Sequence, residues 1–218
     1  MATNYDDLIS QKQAQLESLK SMLEETKQQF IKDSVIFIRE WYKMTTENYV
    51  KTAPDTTISL GKEKLKQMKE KVAILTQNAE SIAHEFLSNP DLWWHLKETD
   101  EHRYSCYGNR APDDLDKALR LSLGKLGVIL EEFGYHVTTK STYGDQDNVW
   151  VEWDSSGRYH PPNGRPYYPY GMDWSDTMRT TIGKYNEVFV QAMKMREEIR
   201  SLQGEKKRQQ AQNLWDSI

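Results

Sequence analysis

The chain has a single cysteine among its 218 residues and no apolar run that approaches the length of a membrane span. A transmembrane helix needs about 20 mainly apolar residues. Cys106 has no second cysteine to pair with inside the chain, which excludes an internal disulfide framework and fits a reducing compartment. The opening residues are polar and acidic, which is not the pattern of a signal peptide. We therefore predict a cytoplasmic protein without a membrane helix.

An excess of basic charge is also lacking. The sequence has 33 acidic residues against 29 basic ones, for a net charge of -4. Proteins that bind nucleic acid usually carry a broad basic surface, so the composition argues against nucleic acid as the partner. The mean hydropathy of -0.84 indicates a large solvent-exposed surface, as long amphipathic helices have.

Proline and glycine are absent from Tyr5 to Lys51, which predicts one long helix. Steps of three and four residues along this segment place apolar side chains on one stripe, with the period of a coiled-coil seam. Lys12, Asp33 and Glu40 interrupt the stripe. Its apolar members are Tyr5, Ile9, Leu16, Leu19, Leu23, Phe30, Phe37 and Met44. After Phe30 the apolar residues surround the helix, which predicts burial among several neighbours.

Three further helices are predicted from the same kind of periodicity. One runs from about Ser59 to Ser88 and would form a hairpin with the first. Another follows the start signal Ala111-Pro112-Asp113 and ends at Gly134 as a left-handed cap. A last helix begins after a cap at Asp173 or Ser175, and Gly204 is expected to break or bend it before a basic, frayed tail. Asn89-Pro90 predicts a short additional helix that extends to His102.

Beyond Gly134 the apolar period changes to two, over Tyr135 to Ser141 and again over Val149 to Asp154, which predicts an antiparallel β-hairpin. The predicted class is therefore mainly α, of the α+β type. It consists of an elongated bundle or coiled coil of three long helices with a small aromatic-rich module. We divide the chain into a helical hairpin at 1–89, an aromatic α+β module at 90–173, and a returning helix with a basic tail at 174–218.

A loop rich in proline and tyrosine follows the predicted hairpin. Rigid aromatic and arginine side chains present large contact areas at low entropic cost, which suits recognition of a protein partner. The alternative is that the tyrosines close the core of the module. The predicted partner-binding residues are Arg158, Tyr159, Arg165, Tyr167, Tyr168 and Tyr170.

Other candidate residues have side chains suited to catalysis or metal binding. His136, Glu152, Asp154 and His160 combine a histidine base with paired carboxylates in one region, as a hydrolase-like or metal-dependent site would. On the predicted helix after Pro90, three residues whose side chains could bind zinc lie on one face. They are His95, Glu98 and His102. More often, histidines and acids in such a pattern form part of an exposed helix surface. Cys106 beside a histidine could act as a nucleophile, but it lies in no catalytic-cysteine signature.

The leading functional hypothesis is a non-enzymatic cytoplasmic interaction or scaffold protein that binds a protein through the aromatic loop and forms a homo-oligomer, with no cofactor. The first alternative is a small enzyme with its site in the aromatic module. The second is a nucleic-acid-binding regulator, because a helix, Gly134 and a hairpin follow one another as in a winged-helix domain. The acidic charge of the corresponding helix argues against that alternative.

Overall fold

The structure is a computed structural model, and it describes residues 4–93, 110–137 and 175–217. Within these ranges the chain is 92% helical and contains five α-helices. Their bounds are α1 (Tyr5–Thr52), α2 (Pro54–Gln77), α3 (Ala79–Leu87), α4 (Arg110–Glu132) and α5 (Asp176–Asp216). A short 3-10 helix at Pro90–Leu92 follows α3. The predicted helical bundle is confirmed for this part of the chain.

The predicted α+β class is wrong, because the described residues contain no strand. Tyr135 and Val137, at the start of the first predicted strand, are buried while His136 is exposed, so the expected alternation is present. Within the described ranges these residues pair with no strand, and the Tyr135 N–H donates to the Leu130 carbonyl in the preceding helix. The rest of the predicted hairpin, at 138–154, lies outside the described residues.

The described residues fall into two compact units. Unit 1 contains residues 4–30, with the first part of α1, and residues 179–217, with α5 from Arg179 onward. Unit 2 contains the rest of α1, together with α2, α3, the 3-10 helix, α4 and the turn after α4. The boundary in α1 falls after Phe30, where the sequence predicts the change from a one-sided stripe to all-round burial.

A capping side chain and a proline set the two ends of helix α1. The Asn4 side chain caps it by accepting a hydrogen bond from the Asp7 N–H at 3.4 Å, and Asp6 and Asp7 lie in the first turn. The helix ends before Pro54, which occupies the first turn of α2, where its missing N–H costs nothing. Helix α2 therefore begins earlier than the predicted Ser59.

The predicted single helix from Ser59 to Ser88 is interrupted twice. Gly61 has a φ of 66°, in the left-handed region that favours glycine, and it kinks α2. Asn78 separates α2 from α3. The predicted stripe nevertheless faces inward throughout. Its members Leu65, Met68, Val72, Leu75, Ala79, Ile82 and Phe86 are all buried or half-buried.

Helix α4 ends as predicted at Gly134, whose φ is 82°. The Tyr135 N–H donates to the Leu130 carbonyl at 3.0 Å, and the Gly134 N–H donates to the Glu131 carbonyl at 2.9 Å. This pair of bonds is the Schellman motif, and the buried Tyr135 and Leu130 supply its usual apolar contact. The Tyr135 hydroxyl lies 2.8 Å from Thr57 Oγ1, which ties this turn to the start of α2.

Helix α5 is capped by Ser175, whose Oγ accepts a hydrogen bond from the Met178 N–H at 3.3 Å. The helix then runs without a break through Gly204 to Asp216, so the predicted interruption at Gly204 is wrong. One glycine inside a helix costs about 1 kcal/mol, which the surrounding helix formers offset.

The core of unit 2 lies between α4 and the elements around it. Helix α4 packs against α2, α3 and the 3-10 helix. Its predicted apolar stripe is buried from Leu115 to Phe133, with only Ile129 half-buried. From α1, Tyr42 reaches this core and donates a hydrogen bond of 2.6 Å to the Ser122 carbonyl. Trp93 closes the core by donating from Nε1 to the Leu87 carbonyl at 2.8 Å.

Candidate functional site

In unit 1 the first part of α1 and the helix α5 form an antiparallel helix pair. Lys12 Nζ lies 2.5 Å from Glu198 Oε2, and Lys206 forms an ion pair with Asp6. Asp6 precedes Lys12 in α1, but its partner Lys206 follows Glu198 in α5, so the two helices run in opposite directions. These ion pairs also explain why the stripe on α1 tolerates Lys12, since its charge is paired across the contact.

The helix pair buries the stripe that the sequence predicts. Every predicted position of α1 from Tyr5 to Phe30 is half-buried or buried, and most residues between them are exposed. The cover deepens along the helix, because Ile9 and Leu16 are half-buried whereas Leu23 is 7% and Phe30 is 0% exposed. On α5 the corresponding inward residues include Tyr185, Phe189, Ala192 and Ile199.

A groove with a volume of about 830 Å³ runs along one side of this helix pair. Each helix contributes four residues with the spacing i, i+3, i+4 and i+7, which places them on one helical face. The residues of this interhelical groove are Gln13, Leu16, Glu17 and Lys20 from α1, and Arg196, Ile199, Arg200 and Gln203 from α5. Leu16 and Ile199 form an apolar floor, and polar side chains form the rims.

Basic side chains outnumber acidic ones among the residues that line the interhelical groove. Lys20, Arg196 and Arg200 supply three cations, and Glu17 is the one acid in its lining. The Glu17 carboxylate lies 2.7 Å from Lys20 Nζ, so their charges offset each other. The Arg196 side chain is buried, with 8% exposed, while Arg200 is exposed at the rim.

Helix α5 extends past the start of α1. The ion pair of Asp6 with Lys206 places the first turn of α1 opposite Lys206, and α5 continues to Asp216, about 15 Å further at 1.5 Å per residue. Leu214 is 67% exposed and Trp215 is 75% exposed on this extension. The predicted fraying of this tail is wrong, because α5 continues as a helix through both residues.

The charged clusters of unit 2 stabilise helix packing. Lys125 Nζ lies 2.8 Å from Glu85 Oε2 and 5.1 Å from the centre of the Phe86 ring, which joins α3 to α4. Lys71 bonds to Glu132 and lies 5.7 Å from the Phe133 ring, which joins α2 to α4. Such exposed pairs contribute roughly 0.2–1 kcal/mol each.

Tyr42 is the described residue with a clearly displaced pKa. Burial, and to a smaller extent the nearby Glu85 carboxylate, raises the pKa of its hydroxyl above the ordinary value. The hydroxyl is therefore a neutral donor that holds the Ser122 carbonyl, which is a structural role and not that of a base.

Of the predicted site residues, the structure places His136 alone, on the exposed side of the turn after α4. The enzyme hypothesis needs His136 beside residues that lie outside the described ranges. Those further candidates, together with the predicted loop and the zinc-type set, are His95, Glu98, His102, Cys106, Glu152, Asp154, Arg158, Tyr159, His160, Arg165, Tyr167, Tyr168 and Tyr170. Within the described ranges, no three histidine, cysteine or acidic side chains form an arrangement that could hold a metal ion.

Sequence reasoning missed the interhelical groove. It identified the stripe on α1, including Leu16, and the period of the last helix, but it could not pair the two helices. The available signal was Lys12, a charge inside the apolar stripe of α1 that calls for an acid on the covering helix.

None of the helices in the described ranges contains an apolar stretch long enough to cross a bilayer. Comparisons of the chain with protein-family models, with curated protein sequences and with solved structures found no match in any of the three.

Proposed function

We propose that the chain is a non-enzymatic, cytoplasmic scaffold protein that binds another protein through the interhelical groove of unit 1. The observation that carries this proposal is that both helices present a face with i, i+3, i+4, i+7 spacing along one groove, with an apolar floor and polar rims. Docking a helix into such a groove is a recurrent mode of protein recognition. The single cysteine supports a reducing compartment.

In this proposal the helix pair is an antiparallel coiled coil. The three-four spacing of the covered positions on α1 and the ion pair between Lys12 and Glu198 support that assignment. A two-stranded coil leaves both sides of its seam accessible, which is where a third helix can pack. The tyrosine-rich loop, with Tyr167, Tyr168 and Tyr170, is proposed as a second contact surface on the strength of its composition alone.

Filling the groove with bulk is expected to remove partner binding. In the double variant Gln13→Trp/Gln203→Trp, two indole rings enter the groove from rim positions that are exposed, while the charges and the apolar floor stay unchanged. We expect proteins captured by the unaltered chain from extracts of its native cell to be absent from the captures of this variant, as measured by quantitative mass spectrometry.

The matched control is Gln15→Trp/Gln191→Trp, which adds the same side chains to exposed positions of the same helices outside the groove lining. Its captures should equal those of the unaltered chain. A third variant, with Tyr167, Tyr168 and Tyr170 changed to serine, measures the contribution of the loop. If every variant folds, as judged by circular dichroism, and all capture the same proteins, the scaffold proposal is wrong.

Homo-oligomerisation belongs to the same proposal, at the extension of α5. Arg208 and Asp216 lie equally far from Gln212 along the helix, so an antiparallel pair of two such extensions sets Arg208 of each copy opposite Asp216 of the other. The exposed Trp215 would be covered in this pair. So short an overlap buries less than the roughly 1,200 Å² of a stable interface, so the association should be weak.

We expect the average mass in solution, measured by light scattering, to rise with protein concentration and to stay at that of the monomer in Trp215→Ser. Val128→Ser is the comparison variant, because Val128 is also an exposed apolar residue, at 59%, but lies in α4. A monomer at every concentration, or equal association of the two variants, would contradict the oligomer.

A further inference from the structure

We infer that the extension of α5 beyond the start of α1 binds the surface of an anionic lipid bilayer. The extension consists of residues 207–216, which follow Lys206, the partner of Asp6 in unit 1. Every one of these residues is exposed. The surface and the partner differ from those of the interhelical groove, so the two proposals can fail separately. The inference is carried by the distribution of basic, apolar and acidic side chains around this stretch of helix.

One face of the extension combines basic and apolar side chains. Each residue of an α-helix advances about 100° around the axis, so positions 207, 208, 211, 214 and 215 fall within an arc of about 120°. The residues at these positions are Lys207, Arg208, Ala211, Leu214 and Trp215. The acids Glu205 and Asp216 lie outside this arc, toward the opposite side of the helix. The face therefore carries positive charge and apolar surface together.

The two cations of this face are available to an external anion. Lys206 is held by Asp6, whereas the side chains of Lys207 and Arg208 form no ion pair or hydrogen bond with any residue in the described ranges. Both residues are exposed. Long basic side chains of this kind place their charged groups at lipid phosphates while their stems lie along the helix. The anionic groups of a bilayer surface complement this end of the extension.

The apolar end of the face selects a bilayer over a soluble anion. Leu214 is 67% exposed and Trp215 is 75% exposed, about two turns beyond the cations. Tryptophan is favoured at the boundary between headgroups and acyl chains, because its ring is apolar while its N–H still meets polar groups. A helix lying on the bilayer brings both side chains to this boundary. A soluble anion would leave them in water.

Membrane binding and the weak antiparallel pairing of two extensions compete, because both cover Trp215. Asp216 distinguishes them. It lies opposite Arg208 of the other copy in the pair, but it lies outside the face that meets the bilayer. Asp216→Asn should therefore weaken self-association, measured by light scattering, and leave lipid binding at least as strong as that of the unaltered chain.

The test is cosedimentation of the full chain with two sets of vesicles. One set is phosphatidylcholine alone, and the other is an equal mixture of phosphatidylcholine and phosphatidylserine. We expect binding to the mixed vesicles that weakens as salt is added, since salt screens the attraction to the anionic headgroups. Binding to the neutral vesicles should be absent.

Two variants test the two ends of the face. Leu214→Ser/Trp215→Ser should weaken binding to the mixed vesicles by at least about tenfold, because it removes the apolar contact with the bilayer. Its control is Ile74→Ser, which removes an apolar side chain that is 57% exposed on α2. Lys207→Gln should weaken binding about fivefold, the contribution of one basic residue near an anionic membrane. Its control is Lys194→Gln, which makes the same change at an exposed residue of α5 before the extension.

The inference is overturned if the chain binds neither set of vesicles, if it binds both equally, or if Lys207→Gln and Lys194→Gln behave alike. Equal binding by Leu214→Ser/Trp215→Ser and the unaltered chain would overturn it as well. Binding of a polyglutamate peptide without binding of vesicles would assign the face to an acidic protein instead. Circular dichroism should show the same helical content in every variant, because all the substituted side chains are exposed.

Discussion

Truncation of Leu126 to alanine is expected to lower the free energy of unfolding of unit 2 by about 3 kcal/mol. Leu126 is 0% exposed and lies on α4, the helix against which α2 and α3 pack. The change removes three buried carbon atoms and leaves a cavity that the surrounding helices can only partly fill, because they are held by their own contacts. Urea unfolding followed by tryptophan fluorescence measures the loss, since Trp41 and Trp93 are buried in this unit.

Val128→Ala is the control for this prediction. Val128 is on the same helix but is 59% exposed, so its truncation should change stability by no more than about 0.5 kcal/mol. Equal losses at Leu126 and Val128 would mean that α4 does not present the described face to the core.

The faces of the helices could be predicted because they depend on local periodicity. Every stripe predicted on the second, third and last helices is covered in the structure, and Gly134 ends α4 because its positive φ follows directly from the lack of a side chain. Ile36 shows the limit of this reasoning. It was predicted to be buried with its neighbours, yet it is 58% exposed, since the number of neighbours around a helix is a tertiary property.

The breaks in the helices were harder to predict than their faces. Gly61 kinks α2, whereas α5 continues without a break through Gly204, although each is a single glycine among good helix formers. The intrinsic cost of about 1 kcal/mol is too small to decide either case, so the sequence alone does not show which glycine interrupts its helix. Alternation after Gly134 was read as a strand, but alternation shows only that an extended segment buries every second residue, and a strand also needs a hydrogen-bonded neighbour.

The candidate site escaped prediction because it depends on register. Leu16 and Ile199 line the same groove, although they are far apart in the chain. Periodicity identifies which face of a helix is covered but not which helix covers it. The contact between Lys12 and Glu198 fixes the register, and although Lys12 interrupts the predicted stripe, the sequence does not show which acid it pairs with.

Replacement of Tyr42 by alanine is expected to cost unit 2 about 4 kcal/mol, the range for a large buried aromatic side chain. The residue is 0% exposed, and its hydroxyl is the donor for the Ser122 carbonyl inside the core. Tyr42→Phe separates the two contributions, because it keeps the ring and removes only the hydroxyl. We expect a loss of about 1–2 kcal/mol for this variant, the effect of leaving one buried acceptor without its donor.

The hydroxyl of Tyr42 should also make stability depend on alkaline pH. Burial, and then Glu85, raises its pKa in the folded state above the value of about 10 in the unfolded chain, so the folded state retains a proton that the unfolded chain releases. This contribution is complete below pH 10 and is lost as the pH rises through the interval between the two pKa values. The urea midpoint of the unaltered chain should therefore fall more steeply above pH 10 than that of Tyr42→Phe. Parallel profiles would show that the Tyr42 hydroxyl is as free to ionise in the folded protein as in the unfolded chain.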